Sequence, residues 1–257
     1  MENTTFKFEN RDGLEQLAEV PDNSVRMVLT DPPYLIAHIG PTGKAYEHFD
    51  TTDSFTMEQL EKFVKEWNRV LTPGGTLVCW FDCYKLGELR SMCEKAKFGG
   101  RFRSVKWIKD GGNQVEVKQT YVGWGESALV CHKPPVKEIV FNNKDENGKA
   151  IAHRGLFTAR TPRGNERFHP TQKPVDLFEE LIYLHTNPGD IVLDSFCGSG
   201  VTPVACALTG RSFIGAELNK EYFDKAQERL SALDSEDRSQ SSMVYTPEFK
   251  AKKVTGK

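Results

Sequence analysis

The chain has 257 residues, a length that suits one α/β domain with inserts or one domain with a small appendage, and its 38% hydrophobic and 27% charged residues are ordinary for a soluble globular protein. No stretch approaches the roughly 18 consecutive apolar residues of a membrane span, and the polar N-terminus has no signal-peptide pattern, so we expect a cytoplasmic protein. The formal net charge of -2 hides an uneven distribution, because residues 101–173 hold fourteen lysines and arginines against seven acidic residues. Such a region can attract phosphates, although on charge alone a solvated loop is the simpler interpretation.

The first half of the chain alternates buried strands with amphipathic helices. The apolar run from Val25 to Thr30 predicts a strand that ends at Asp31-Pro32-Pro33. Apolar residues at helical spacing predict a helix over 56–71, which the following Pro-Gly-Gly terminates. Further along, the patterns predict a strand over 76–81, a helix over 84–97 and strands over 104–108 and 127–131.

Residues 133–168 differ from the rest of the chain in composition and pattern, because they are rich in Pro, Asn, Lys, Arg and Gly and show little periodicity. This segment is too long for an ordinary loop, so it predicts a functional insert. After it, the patterns predict a helix over 174–185, a strand over 191–193, a helix over 201–209, a strand over 212–215 and a helix over 220–233. The alternating order indicates an α/β fold with a mostly parallel sheet and helices on both faces. The polar residues from 234 onwards predict a disordered tail.

Six cysteines lie mostly within apolar segments of the chain. Their positions do not show the paired spacing of zinc ligands. We therefore expect reduced thiols in the core, and no metal site.

A glycine-containing turn joins the predicted strand over 191–193 to the following helix, in the sequence Asp-Ser-Phe-Cys-Gly-Ser-Gly. Gly198 and Gly200 allow a tight turn and a close approach of the backbone to a ligand. Glu217 follows the next strand, about 20 positions after the turn, where an acidic residue can accept hydrogen bonds from a ribose diol. A P-loop is excluded because no Gly-Lys-Ser/Thr follows, and Pro203 interrupts the dinucleotide fingerprint. The pattern favours a nucleoside site, with a ligand-free tight turn as the alternative.

The residues Asp31-Pro32-Pro33-Tyr34 end a buried strand, where α/β folds place active sites. An exocyclic amino group of a nucleobase is a poor nucleophile because its lone pair is delocalised into the ring. The Asp31 carboxylate and the rigidly held Pro32 carbonyl are suited to accept both amino hydrogens and to direct that lone pair. Tyr34 offers a flat face for the base, and a base in a duplex must be flipped out to reach such a pocket. The alternative is a proline-rich turn beside a packed tyrosine.

These motifs resemble those of the DNA amino-methyltransferases, which carry a D-P-P-Y catalytic motif and an F-x-G-x-G cofactor motif. Here the first spans Asp31 to Tyr34 and precedes the second, Phe196 to Gly200, which is the order of the circularly permuted β group. A third signature, HPTQKP, spans His169 to Pro174. The resemblance covers residues 6–233 and implies a Rossmann-like, mostly parallel seven-stranded sheet. It further implies S-adenosylmethionine as cofactor, double-stranded DNA as partner, adenine N6 as methyl acceptor and a nucleoid-associated location.

The resemblance also implies roles for individual residues in binding the cofactor. Thr171 and Lys173 would lie at its methionine end and Asp12 at its adenine, although an acidic turn residue is an equal interpretation of Asp12. The cofactor-binding residues expected in this way are Asp12, Thr171, Lys173, Asp194, Phe196, Cys197, Gly198, Gly200, Glu217, Leu218 and Asn219. Ser195 stands where many family members have Pro, and we expect this to change little.

The predicted organisation is a catalytic part over 1–132 and a cofactor-binding part over 169–233 of one domain, with a tail over 234–257. The insert, 133–168, occupies the place of the family's target-recognition region. Its four arginines, together with its basic character, predict DNA contacts, although arginine holds phosphates as readily as guanine edges. These arginines are Arg154, Arg160, Arg163 and Arg167. A homodimer is implied only by the resemblance, and neither a recognition sequence nor a restriction endonuclease partner follows from the sequence.

Three other functions remain open at this level. Cytosine N4 is the nearest alternative target, because Asp31 favours adenine whereas the cytosine enzymes more often resemble an S-P-P-[YW] pattern. A methyltransferase acting on RNA or on a protein amide is disfavoured by the basic insert and by the permuted motif order. A non-catalytic DNA-binding module would carry a damaged motif, and here Asp31 to Tyr34 is intact.

Overall fold

The computed structural model describes residues 4–33, 55–110, 125–164 and 167–236. The strands in these ranges are β1 (Phe6–Glu9), β2 (Val25–Thr30), β3 (Leu71–Phe81), β4 (Gly99–Asp110), β5 (Gly125–His132), β6 (Leu156–Arg160), β7 (Ile191–Asp194) and β8 (Ser212–Ala216). The helices are α1 (Gly13–Glu19), α2 (Met57–Val70), α3 (Leu86–Lys95), α4 (Val175–His185), α5 (Val201–Thr209) and α6 (Lys220–Glu236), with a 3-10 turn at Val136–Glu138.

The strands form one sheet in the order β1-β8-β7-β2-β3-β5-β4-β6. Among these described strands, β5 is antiparallel to its neighbours β3 and β4, and the other seven run in one direction. The prediction of a mostly parallel sheet with helices on both faces is therefore confirmed. The sheet has eight strands, one more than the resemblance implied.

The sequence patterns did not reveal the two edge strands or the first helix. β6 lies in the insert and pairs in parallel with β4, and only its Phe157 and Ala159 are buried. β1 has four half-buried residues. A short edge strand with one covered face shows too few alternations for its period to stand out. The insert is thus an extension of the sheet as well as a connecting segment.

Several element boundaries differ from the prediction, including the start of β4, which lies at Gly99 and not at residue 104. α2 ends at Val70, and β3 begins directly at Leu71, so Pro73-Gly74-Gly75 lies within a strand and does not form a terminating turn. The pairing of β3 with β2 shifts register there, between Val25 and Met27, and this irregularity accommodates the proline. At the other end, α6 continues to Glu236, three residues into the predicted disordered tail.

Each face of the sheet carries its own hydrophobic core. One core packs α1, α2 and α3 against the sheet, and the other packs α4 and α5. Successive side chains of β2 alternate between them, with Val28 in the first core and Met27 and Leu29 in the second, as the period of a strand requires. The helices of the first core include α2, which begins with a capping box between Thr56 and Gln59.

The cysteines are all free, and five of them are buried while Cys83 is exposed. Within the described ranges, no group of three or more His, Cys, Asp or Glu is arranged to hold a metal ion. In the same ranges, no helix has the length and apolar character needed to cross a membrane.

Polar residues collect at one edge of the sheet, where its parallel strands end. Asp31 directly follows β2, Asp194 is the last residue of β7, and Glu217 directly follows β8. In open α/β sheets, ligands bind outside the carboxyl ends of the strands. This edge is therefore the candidate site.

Candidate functional site

A cavity of about 400 Å³ opens at the carboxyl edge of the sheet. Its walls come from the ends of β2, β7 and β8, the start of α1 and the segment before α4. The predicted site residues that line it are Asp12, Asp31, Pro32, Pro33, Thr171, Lys173, Asp194, Phe196, Cys197, Gly198, Glu217, Leu218 and Asn219. Gly200 and the four insert arginines are not in this lining, and Tyr34 lies outside the described residues.

The two glycines of the turn after β7 have different structural tasks. Both adopt positive φ, 48° at Gly198 and 70° at Gly200, a region that favours glycine. A Cβ added to Gly198 would lie 3.2 Å from His169 Nε2, and one added to Gly200 would lie 2.6 Å from the Cβ of Ala226. Gly198 thus shapes the cavity wall, while Gly200 allows α5 to pack closely against α6.

Asp194 is a buried carboxylate that holds this turn together. Its Oδ1 accepts hydrogen bonds from Thr30 Oγ1 at 2.8 Å and from the Phe196 N–H at 3.0 Å. Its Oδ2 accepts from Thr202 Oγ1 at 2.5 Å. Burial raises the pKa of Asp194 to about 6, an effect that the three donors oppose and the negative charge of Asp31 increases. Asp194 therefore links β2, β7 and α5 beneath the cavity.

Glu217 is oriented by two backbone donors. Its Oε2 accepts from the Gly198 N–H at 2.7 Å, and its Oε1 accepts from the Asn219 N–H at 2.8 Å. Burial raises the pKa of Glu217, against the effect of these hydrogen bonds. Each carboxylate oxygen has two acceptor positions, so both oxygens can accept a further hydrogen bond from the cavity. Two such acceptors side by side match the two hydroxyls of a ribose diol.

Asp12 caps α1, as the turn interpretation of its sequence predicts, and its contact with the cofactor's adenine stays a prediction. Its Oδ1 accepts from the Leu14 N–H at 2.8 Å and from the Glu15 N–H at 3.3 Å, which caps α1, and the residue also lines the cavity. A Cβ on Gly13 would lie 2.7 Å from the Ser195 carbonyl oxygen. Glycine therefore lets the start of α1 pack directly against the end of β7.

An aromatic wall of the cavity was not identified from the sequence. The Phe196 ring lies 4.6 Å from the Phe63 ring and 5.4 Å from the Phe55 ring, measured between centroids. Phe55 and Phe63 both line the cavity with Phe196. The helical spacing around residue 63 had predicted a buried face of α2, but nothing local showed that this face reaches the cofactor motif.

Ser195 has a specific role, contrary to the expectation that it changes little. The buried indole Nε1 of Trp67 donates a hydrogen bond of 3.0 Å to Ser195 Oγ. Proline has no side-chain oxygen, so a proline here would remove the acceptor from a buried donor. The serine therefore joins α2 to the turn after β7.

The segment before α4 is held by its own side chains. His169 packs its ring 4.4 Å from the Tyr222 ring, and its Nδ1 lies 3.3 Å from Thr171 Oγ1. Burial, together with the positive charges of Lys173 and Arg167, lowers the pKa of His169 to about 4. Arg167 donates to the Pro170 carbonyl and, at 3.4 Å, to the His169 carbonyl. Arg167 thus stabilises this segment.

Lys173 joins Asp31 to a carboxylate that the sequence analysis missed. Its buried Nζ donates to Asp31 Oδ2 and lies 2.8 Å from Glu126 Oε2. The other Glu126 oxygen lies 2.6 Å from Lys109 Nζ. Burial alone would lower the pKa of Lys173, but the carboxylates of Asp31 and Glu126 outweigh it and raise that pKa. The Lys173 ammonium is thus held against the Asp31 carboxylate, at the end of β2, in the cavity that both residues line.

The exposed insert arginines fall at opposite edges of the sheet. Arg160 ends β6 at the carboxyl edge, and the exposed Arg163 follows it. Arg154 is also exposed, but it precedes β6 and so lies beyond the opposite end of that strand. The structure thus brings Arg160 and Arg163 to the edge that carries the cavity, and Arg167 lies there too, since it bonds to the carbonyls of His169 and Pro170, which line the cavity.

Comparison with protein families and curated relatives gives one consistent match. A family model described as DNA methylase matches residues 25–228 of the chain. The chain is 29% identical over 246 residues to the DNA adenine methyltransferase YhdJ of Escherichia coli (strain K12), covering 85% of this chain and 80% of YhdJ.

Two solved structures share the fold. The crystal structure of an M1.HpyAVI-SAM complex matches with a TM-score of 0.70 and 29% identity, covering 88% of this chain and 99% of that chain. The cytosine-N4-specific PvuII DNA methyltransferase matches with the same TM-score of 0.70 at 18% identity, covering 91% of this chain and 92% of that chain. At that identity the second likeness concerns the fold alone.

Proposed function

The chain belongs to the DNA methylase family, whose members transfer a methyl group from S-adenosylmethionine to adenine N6 or cytosine N4, and we propose that its target is adenine N6. The observation that carries the proposal is the position of Asp31. This aspartate is the first residue of the Asp31–Tyr34 motif and lines the cavity at the end of β2. The name of the E. coli relative supports the same base. The fold does not distinguish adenine from cytosine as the target, since the cytosine-N4-specific enzyme and the M1.HpyAVI structure match this chain with the same TM-score.

The cavity fits the cofactor in size and in the chemistry of its walls. Its volume of about 400 Å³ lies within the range of small-molecule pockets. We assign the ribose hydroxyls to Glu217, and the adenine to the neighbourhood of the Leu218 side chain, which is 68% exposed beside it. The start of α1 at Asp12 and the turn from Phe196 to Gly198 close the remaining walls. When bound, S-adenosylmethionine supplies an electrophilic methyl group on a sulfonium.

The acceptor side of the cavity is suited to direct an amino nitrogen. The Asp31 carboxylate and the Pro32 carbonyl accept its two hydrogens, so that its lone pair points into the cavity. In the reaction the nitrogen gains a methyl group and loses one proton, and Asp31 is the adjacent acceptor for that proton. Tyr34, outside the described residues, completes the motif as the proposed stacking surface for the flipped base.

The product identifies the target base. We expect nucleoside mass spectrometry on DNA from methylation-deficient cells that express the chain to detect N6-methyladenine. Cells that express Asp31→Ala serve as the control and should lack the product. N4-methylcytosine in place of N6-methyladenine would contradict the choice of base, and absence of both would contradict DNA as the substrate of this chain.

We propose that Arg160 and Arg163 contact the phosphates of bound DNA. Both are exposed near the end of β6, at the carboxyl edge where the flipped base must enter. Arg167 is engaged with backbone carbonyls, and Arg154 lies towards the other edge. The proposed DNA surface therefore contains two arginines of the insert, whereas the sequence predicted four.

Replacing Arg160 and Arg163 by Gln is expected to weaken DNA binding and to flatten its salt dependence. Each lost phosphate contact removes about 0.9 from the slope of log K against log salt concentration, so the double variant should lose about 2. Fluorescence anisotropy with a labelled duplex, titrated at several salt concentrations, measures this slope. Arg154→Gln is the matched control from the same insert, and an equal loss of slope in that variant would place the DNA surface elsewhere.

A further inference from the structure

A chain of alternating charges reaches from the surface to the proposed methyl-transfer site. It runs from Lys109 on β4, through Glu126 on β5, to Lys173 before α4 and finally to Asp31 after β2. The Lys173 side chain is 2% exposed and that of Glu126 is 21% exposed. The Lys173 ammonium also lies 5.9 Å from the centroid of the Trp80 ring. Asp31 after β2, Trp80 on β3 and Glu126 on β5 therefore converge on one buried ammonium group.

We propose that Glu126 is a positioning residue for methyl transfer, which holds the Lys173 ammonium against Asp31 Oδ2 and thereby fixes the carboxylate that meets the target amino group. The inference rests on the proposed role of Asp31. Glu126 does not line the cavity, so it acts through Lys173 and not by contact with a ligand.

The geometry explains why a second carboxylate is needed. A lysine ammonium stands at the end of a flexible four-carbon stem, so one hydrogen bond to Asp31 leaves its direction poorly defined. Glu126 provides an acceptor at 2.8 Å on β5, a central strand that is hydrogen-bonded to β3 and β4. Burial of a cation is costly unless it is paired, and here two carboxylates pair with it. The charges of Asp31 and Glu126 are in turn balanced by Lys173 and Lys109.

The charges around Lys173 determine how the site should respond to pH. Asp31 and Glu126 face its ammonium directly, Lys109 faces Glu126 from β4, and Asp194 adds negative charge near Asp31. His169, whose pKa lies at about 4, is neutral at the pH of an activity measurement. The two carboxylates raise the pKa of Lys173, and Glu126 itself has its pKa lowered to about 2 despite burial. Removing the Glu126 charge must lower the pKa of Lys173, so the ammonium will deprotonate at lower pH.

The test is Glu126→Gln, measured as kcat across pH, with S-adenosylmethionine affinity determined by calorimetry. We expect kcat to fall by about 10- to 100-fold, the cost of a slightly misplaced group, while cofactor affinity stays within about twofold. The alkaline loss of kcat should begin at lower pH than in the wild type. Glu66→Gln is the matched control, because Glu66 is also ion-paired, to Arg69 at 2.7 Å, but lies on α2 outside the cavity lining. Unchanged kcat and pH profile in Glu126→Gln, or the same changes in Glu66→Gln, would overturn the proposal.

A stability measurement tests the same contact without the reaction. Lys173→Met leaves the Asp31 and Glu126 carboxylates together without their shared cation, whereas Lys173→Met with Glu126→Gln removes one of these charges. We expect the double variant to unfold at a higher temperature than Lys173→Met alone. Additive effects would refute coupling between Glu126 and Lys173.

Should Glu126→Gln fail to fold, Glu126→Asp keeps the charge but shortens its reach, and it should lower kcat without changing cofactor affinity. Because kcat is followed with whichever methylated base the wild type forms, an error in the proposed base leaves this test intact.

Discussion

Asp31→Asn is expected to reduce kcat for methyl transfer by about a thousandfold or more, with little change in affinity for S-adenosylmethionine. The carboxylate offers only acceptors to the target amino group, whereas an asparagine amide brings two donors of its own. The substitution also removes the anion that Lys173 binds, so the ammonium loses one of the two carboxylates that direct it. Both changes act at the acceptor end of the cavity. Glu217, at the other end, remains held by the Gly198 and Asn219 N–H groups.

The kinetic measurement requires a control for general effects of removing an acidic residue. Asp190→Asn is suitable, because Asp190 precedes β7 and therefore lies at the opposite edge of the sheet, where it accepts a hydrogen bond from the Asn187 N–H at 2.8 Å. Methylated nucleosides are quantified by mass spectrometry, and cofactor binding is measured by calorimetry. An Asp31→Asn variant with wild-type turnover would remove Asp31 from the chemistry. Equal losses in turnover and in cofactor affinity would instead indicate that the substitution disrupts the whole cavity.

The position of Asp31 was predictable because it depends on a regularity of the fold. Buried parallel strands appear in the sequence as short apolar runs, and their carboxyl ends must meet at one edge of the sheet. Residues that directly follow such runs, among them Asp31 and Glu217, therefore reach the same edge of the sheet although 186 positions separate them in the sequence. The structure brings both to one cavity, together with Asp194 at the end of β7.

Contacts between elements that are distant in sequence were not predictable in this way. The apolar pattern of β5 predicts a strand but gives no sign that Glu126 has a role. That role depends on contacts with Lys109 and Lys173, which belong to two other segments of the chain. The hydrogen bond from Trp67 to Ser195 likewise depends on how α2 packs on the sheet. Periodicity identifies which face of an element is buried, but it does not identify the partner of a single polar atom.

Glu217→Ala is expected to weaken binding of S-adenosylmethionine by about a hundredfold. A hydrogen bond to a charged group contributes about 1.5–3 kcal/mol, and every 1.4 kcal/mol changes an affinity about tenfold, so loss of one or two bonds to the ribose gives an effect of this order. Alanine also removes the acceptor for the Gly198 and Asn219 N–H groups. The glycine turn and the start of α6 then lose a shared anchor on the cofactor side of the cavity.

Calorimetry with S-adenosylmethionine measures this affinity, and Glu228→Ala, an exposed acidic residue on α6, serves as its control. At saturating cofactor, kcat of Glu217→Ala should return towards the wild-type value, because the acceptor group at Asp31 is untouched. Unchanged affinity would exclude Glu217 from the binding site, and a kcat that stays low at saturation would give it a part in the transfer step. The two variants should thus fail in opposite ways, Asp31→Asn in turnover and Glu217→Ala in affinity. That opposition follows from their places after different strands, since β7 lies between β2 and β8 and so separates the proposed acceptor end of the cavity from its proposed cofactor end.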